Sequence, residues 1–183
     1  MKRDLGKALA GPVHLVGAVL GLALLAAGCV PAVTGAAYGL SDHGPTKEQK
    51  QLIKEELAPY RSRGESAISG KVFLETPVGV VTGAGRSVHL TPATSYMKAL
   101  VERDVIGKNK MIDRRADDVW WTTRADKEGR FTFSWLPAGE YVVLCPIAWS
   151  PSGGTSVKTG IAYAMAKVGP REHVVGDVKR VVK

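Results

Sequence analysis

Cysteine is almost absent from this chain: Cys29 and Cys145 are the only two among 183 residues, which excludes a framework of several disulfides. Histidine is nearly as scarce. His14, His43, His89 and His173 are scattered, and none opens the H-x-x-E ligand pair of a zinc site. Carboxylates at calcium-loop spacing are missing as well, since Asp113, Asp117 and Asp118 fit no such pattern. Gly83-Ala84-Gly85 is not followed by a helix with phosphate-loop residues, which argues against a nucleotide site. No cofactor or metal is expected on these grounds. No basic block runs five residues and no basic helix offers base-reading side chains, so nucleic acid is not an expected partner. No apolar run reaches the roughly 20 residues of a membrane-crossing helix.

What is present suffices for one packed domain with accessory segments, because 45% of the residues are apolar. The formal charge is +8, from 25 basic and 17 acidic residues. Without residues 1–28, which hold Lys2, Arg3, Lys7 and Asp4, it is still +6. A basic protein of this kind favours anionic partners such as phospholipid headgroups or acidic polysaccharides, with no sequence specificity.

The N-terminal stretch has the layout of a secretory signal. Lys2, Arg3 and Lys7 precede an apolar run over residues 13–27, broken only by His14, and Ala26-Ala27-Gly28-Cys29 closes it. Small residues before a cysteine resemble a lipobox, in which cleavage precedes the cysteine and its thiol carries diacylglycerol. Gly28 and Cys29 match that pattern well, and Ala26 stands where leucine is usual. The expectation is a signal peptide over 1–28, membrane lipid attached through Cys29 and a cell-envelope location facing periplasm or exterior. An uncleaved anchor helix over about 13–33, which Pro31 opposes, and ordinary cleavage around Ala37 are the alternatives. Each of the three puts the remaining chain outside the cytoplasm. With Cys29 acylated, Cys145 is left alone in the apolar run Tyr141-Val142-Val143-Leu144-Cys145, where a buried, inert thiol is expected. Without acylation a Cys29–Cys145 bridge would compete.

Residues 29–45 are small and flexible in composition and read as a tether. Thr46 and Gln49 then have the spacing of a capping box, and Leu52, Ile53 and Leu57 lie at helical spacing before Pro59, which predicts a short helix within 46–64. From residue 67 onward the pattern changes to strands. Ile68, Val72 and Leu74 share a face, as do Val88 and Leu90. Phe131, Phe133 and Trp135 alternate with Arg130, Thr132 and Ser134, which predicts a half-buried antiparallel strand. Asp126-Lys127-Glu128-Gly129 before it reads as a hairpin turn, and Leu136-Pro137-Ala138-Gly139 after it as a second turn. Tyr141 to Leu144 is apolar on both faces, as suits a covered central strand. Residues 161–165 and 174–182, separated by Gly169-Pro170, read as the closing pair of strands.

One segment departs from this pattern. Thr94 or Ser95 can cap a helix through about Val105, with Met97, Leu100 and Val101 as its buried stripe, in an insertion over 94–118. Such an insertion covers a sheet face or walls a binding surface. Beside it stands the candidate ligand cluster, Asp117-Asp118 and Trp120-Trp121, since exposed tryptophans stack on sugar rings and carboxylates bond sugar hydroxyls. Strand alternation sends only one of the two tryptophans into the core, and the other faces out or seals the insertion. His89, between Val88 and Leu90, is expected to point to solvent.

The run from Thr122 to Phe133, with Thr123, Asp126, Gly129, Phe131 and Phe133, followed by Leu136-Pro137-Ala138-Gly139-Glu140-Tyr141, resembles the signature of carboxypeptidase regulatory-like domains. Ile68-Ser69-Gly70-Lys71-Val72 is similar to their first strand. The resemblance implies an all-β, transthyretin-like Greek-key sandwich of about seven strands over 67–183, here enlarged by the helical insertion. It specifies turn glycines, core phenylalanines and a tyrosine packed between sheets, and it implies no chemistry. The hydroxyisourate hydrolases of that fold end in a Tyr-Arg-Gly-Ser-type tail, whereas this chain ends Arg180-Val181-Val182-Lys183. The function expected is therefore a non-catalytic envelope lipoprotein whose module is structural or binds glycan or protein. An envelope enzyme with a hydrolytic site around Arg171, Glu172 and His173 is the alternative, weakened because three adjacent strand residues cannot all face one way.

Overall fold

The computed structural model describes residue 40 and residues 44–112, 119–151 and 156–182. The signal, most of the tether, Cys29, Asp117 and Asp118 lie outside the described residues. Two helices and nine strands follow one another: α1 (Lys47–Leu57), β1 (Ser66–Thr76), β2 (Gly79–Thr82), β3 (Ser87–Pro92), α2 (Ser95–Leu100), β4 (Trp121–Arg124), β5 (Arg130–Leu136), β6 (Gly139–Trp149), β7 (Lys158–Val168), β8 (His173–Val175) and β9 (Val178–Val181). Together the strands form a curled mixed sheet in the order β2-β1-β9-β7-β6-β3-β4, with β5 and β8 pairing on β1 off that path. Nine strands exceed the seven or so expected, chiefly because the C-terminal segment is split into β8 and β9 and because β2 hairpins onto β1.

β1 organises the sheet by changing partners halfway. Its first half pairs antiparallel with β5, from Ser66↔Leu136 to Lys71↔Arg130, and parallel with β8. Its second half pairs antiparallel with β2 and parallel with β9. Gly70 marks the changeover, where a Cβ would run into the carbonyl oxygen of Gly176. The closing segment thus aligns mainly with β1, and β7 meets β9 only at Tyr163↔Lys179.

β6 is the central strand that its two apolar faces predict. It lies between β3 and β7, and with β7 it pairs over the full length from Gly139↔Val168 to Trp149↔Lys158. Tyr141, Val143, Cys145 and Ile147 face one core, which also holds Ile68, Val72, Leu74, Phe131, Phe133 and Leu136. Val142 and Leu144 face a second core built with α1, α2 and Ile161. Phe131 and Phe133 are both buried, with ring centroids 5.8 Å apart. Tyr141 is fully buried in the same core and donates its hydroxyl to the Pro137 carbonyl at 2.7 Å, satisfying its polar tip.

The turns differ from a plain hairpin reading. Asp126 accepts from the backbone N–H groups of Arg130 (2.7 Å) and Glu128 (2.9 Å), and Gly129 supplies the positive φ of 80°. Yet β4 pairs with β3 and β5 with β1, so this turn hands the chain from one part of the sheet to another. The turn into β6 hands it back.

α1 begins as predicted, with Thr46 and Gln49 in a reciprocal capping box. Ile53 and Leu57 are buried, but Leu52 is exposed, because a single helical face is too narrow to carry both Leu52 and Ile53. Thr94 caps α2, accepting from the Met97 N–H at 3.1 Å, while the Glu56 carboxylate accepts from the Ser95 N–H at 2.6 Å. The helix expected to continue to Val105 instead widens into a π-helical segment, Val101–Gly107. That wider turn brings Val101, Asp104 and Val105 to the buried side together.

Candidate functional site

Two regions hold the residues with binding potential. The first is the rim of the helix-covered face, where Trp120 and Trp121 sit. Neither is fully buried or freely exposed. Trp121, in β4, packs edge-on against Tyr141 at 5.8 Å, which makes it the inward-facing one of the pair. Trp120 precedes the strand and packs beside His89 at 5.6 Å, donating its Nε1–H to His89 Nδ1 at 3.3 Å. Thr122 Oγ1 lies 3.1 Å from the same ring nitrogen. His89 is thus held by its neighbours and half-buried, a correction to the solvated histidine expected. The Trp120 donor also selects its tautomer: Nδ1 accepts, which leaves the proton of the neutral ring on Nε2. Whether Asp117 and Asp118 complete this rim lies outside the described residues.

The insertion is pinned to the sheet by a small polar network. Asn109, at φ 50°, donates Nδ2–H to the Thr159 carbonyl at 2.8 Å and accepts on Oδ1 from the Ile161 N–H at 3.3 Å. Its side chain pairs with β7 much as a strand backbone would. Arg180 reaches from β9 to the C-terminal carbonyls of the π-helical segment, with Nη1 2.8 Å from the Val105 oxygen. Asp104 is clamped by both guanidinium arms of Arg103 at 2.8 and 2.7 Å, and these bonds hold its carboxyl below the ordinary range.

The second region is the outward face of β5, β1 and β8. Its strands present Arg130, Thr132 and Ser134 from β5, Ala67, Ser69 and Lys71 from β1, and His173 and Val175 from β8. At one end lies Trp135, 59% exposed, the most exposed of the four tryptophans and the only one with a positive φ, 63°. Alternation with Phe131 and Phe133 predicts an inward Trp135, and the structure corrects it. Ala67 pairs with Ser134 and Ser66 with Leu136, so Trp135 is the extra residue of a β-bulge. It follows Ser134 to the outside while Leu136 takes the core position, fully buried. The signal was legible in hindsight as Trp135-Leu136, two large apolar residues in succession where a half-buried strand admits one. The Arg63 guanidinium lies over the Trp135 ring at 4.1 Å from its centroid. No pattern in the sequence marked Arg63.

The polar residues near the C-terminus do not assemble as a triad. Arg171 bonds Glu65 through Nε at 2.6 Å, and the Glu172 carboxylate accepts from the Gly169 N–H. His173 Nε2 lies 2.7 Å from Ser69 Oγ. Among the described residues no carboxylate bonds His173, and no group of three potential metal ligands occurs. Cys145 is buried and free, and burial pushes its thiol up to about 12, well away from the reactive thiolate range. No described helix is long and apolar enough to cross a membrane.

No protein-family model matches the chain, and neither does any curated protein. Among solved structures it is similar to a protein from Pseudomonas aeruginosa named a "putative carbohydrate binding protein", at 27% identity and a TM-score of 0.58. That likeness covers 69% of this chain and 96% of the Pseudomonas one. A 9R-lipoxygenase from Cyanothece matches at 12% identity and a TM-score of 0.29, over 75% of this chain and 21% of the enzyme, too weakly to carry argument.

Proposed function

We propose that this chain is a non-catalytic glycan-binding module, exported and held at the membrane through a lipid on Cys29. The observation that carries the binding half is the likeness to the Pseudomonas protein, which spans nearly all of that chain. The anchoring half rests on the basic start, the short apolar run and Gly28-Cys29. We read the curled sheet as a Greek-key sandwich of the carboxypeptidase regulatory-like kind. The handover of the chain at both turns around β5 supports this, and so does Tyr141 packed on Trp121 and Tyr60 within the β core. A rigid scaffold with tryptophans at two of its surfaces suits sugars, whose apolar ring faces stack on indole.

The binding half is tested by titrating the full-length protein with a panel of neutral and acidic hexasaccharides while following tryptophan fluorescence. Saturable binding of any of them supports the reading, and its absence across the panel refutes it. The anchoring half is tested by mass spectrometry of the native protein, where diacylglycerol on an N-terminal Cys29 is expected and a free Cys29 thiol behind an intact Met1 overturns it.

A second reading, an envelope hydrolase, has the Ser69–His173 contact of 2.7 Å in its favour, a nucleophile within reach of a base. The lack of a carboxylate on His173 among the described residues places it second. Ester hydrolysis by the full chain that disappears in Ser69→Ala would put it first.

A further inference from the structure

We propose that the outward face of β5, β1 and β8 binds an acidic oligosaccharide lying along the strands, with Trp135 as its stacking platform. The inference rests on the glycan-binding reading and names the surface and sugar class for it. Three features of this face lead there.

The backbone at Trp135 is strained in the open. Its φ of 63° is a left-handed conformation that costs a bulky residue energy, and the ring so displayed is 59% exposed. Core burial does not offset that cost, since Leu136 fills the core position beside it, and what partner the ring has within the protein is the Arg63 cation on its face. A bulge that re-aims an aromatic outward is the kind of device that serves a ligand.

The second feature is the line of groups that the register extends from that ring. Ser134, Thr132 and Ser69 offer hydroxyls along the strands, and Lys71 stands directly opposite Arg130 at the far end. From Ser66 to Lys71 this line runs roughly 17 Å at about 3.3 Å per residue, room for a short run of sugar rings.

The third feature is charge. Lys71 and Arg130 are like charges in direct cross-strand register, an arrangement that repels in a bare protein. Asp126 attracts Arg130 from the adjoining turn, but among the described residues no acid pairs with Lys71. At the other end the Arg63 cation lies on the Trp135 ring itself, and Arg171 is matched by Glu65. The face therefore has a cation at each end and hydroxyls between, the complement of a sugar chain bearing carboxylates. A neutral glycan would leave the Lys71–Arg130 repulsion unrelieved.

The test compares hexagalacturonate with cellohexaose on the full-length protein. Hexagalacturonate is expected to bind more tightly, and to weaken as salt is raised because exposed charges are screened. Trp135→Gly removes the ring while relieving the strained φ, so the variant folds, and it is expected to weaken binding about tenfold, as loss of an aromatic anchor does. Lys71→Gln is expected to weaken it about threefold and to flatten the salt dependence. Equal affinity for the two hexasaccharides overturns the acidic assignment. Native affinity in Trp135→Gly with loss in Trp120→Ala moves the site to the helix-covered rim, which overturns this inference and leaves the glycan reading standing. Failure to bind any sugar of the panel overturns both.

Discussion

The two faces that flank the β core are treated in opposite ways. The face of β3, β6 and β7 is covered by α1, α2 and the π-helical segment, and at its rim Trp120 and His89 hold each other. The face of β5, β1 and β8 is left bare by the described residues and carries a tryptophan in a strained backbone. Where the chain adds mass, it satisfies its own polar and aromatic groups. Where it adds nothing, the groups stay exposed even though some, such as Trp135 on Arg63 and Ser69 on His173, have local partners. An insertion is thus a poorer guide to a binding surface than the strain and exposure of individual residues, because inserted elements bury their own apolar stripes first.

The comparison breaks most violently if the shared core fails. Phe133→Ala removes a ring that both Phe131 and the β1 strand pack against, and is expected to cost about 3–5 kcal/mol, enough to unfold a marginal domain. Chemical denaturation reads it directly. A cost below about 1 kcal/mol would mean that the site collapses freely and that the core is not close-packed there.

The cover can be loosened alone. Arg180→Ala removes the donor from the last carbonyls of the π-helical segment and from Asn109, and is expected to cost about 1–2 kcal/mol. Hydrogen exchange should quicken over 101–110 and stay unchanged over β5 and β1. Uniform acceleration would show that the cover and the bare face unfold as one unit.

Acid sharpens the same contrast. Asp104 is nearly buried, and the Arg103 hydrogen bonds first, with the charges of Arg103, Lys108 and Lys110 after, hold its carboxyl below the ordinary 3.8. A lowered native value means that its stabilisation is complete above pH 3.8 and is lost as pH falls through the native value. The covered face should therefore loosen as Asp104 is protonated, whereas on the bare side the lowered carboxyl is that of Asp126 in the turn before β5, outside the strands themselves. Asp104→Asn should flatten that acid limb in a pH series of thermal melts, and an unchanged limb would remove Asp104 from the account.

Much of this division was legible in the residues, and the illegible part has identifiable causes. Thr46 with Gln49, Thr94, Gly129 and the doubly apolar run from Tyr141 announced their caps, turn and central strand, because each depends on local chemistry within a few positions. The partner change of β1 at Gly70 did not, since it depends on Gly176 more than 100 residues away. The tryptophan pair at 120 and 121 drew attention by composition, yet their half-burial follows from His89 and Tyr141 on other strands. Trp135 misled for a subtler reason. Period-two alternation assumes a regular strand, and a bulge shifts every later residue to the opposite face.

The smallest expected effect bears on that bulge. Trp135→Gly exchanges a left-handed tryptophan for the one residue that adopts φ near 63° without penalty, which should recover about 1 kcal/mol or more. Against that stands loss of the Arg63 stacking, worth about 0.5–1 kcal/mol at an exposed site. The two nearly cancel, so the melting temperature should stay level or rise slightly. Trp135→Ala separates them: it loses the same ring but keeps a Cβ in the left-handed region, so it should be less stable than the glycine variant by about 1 kcal/mol. Equal stability of the two variants would mean that the backbone relaxes once the ring is gone, and that strain at 135 is imposed by the indole rather than by the register of β5 on β1.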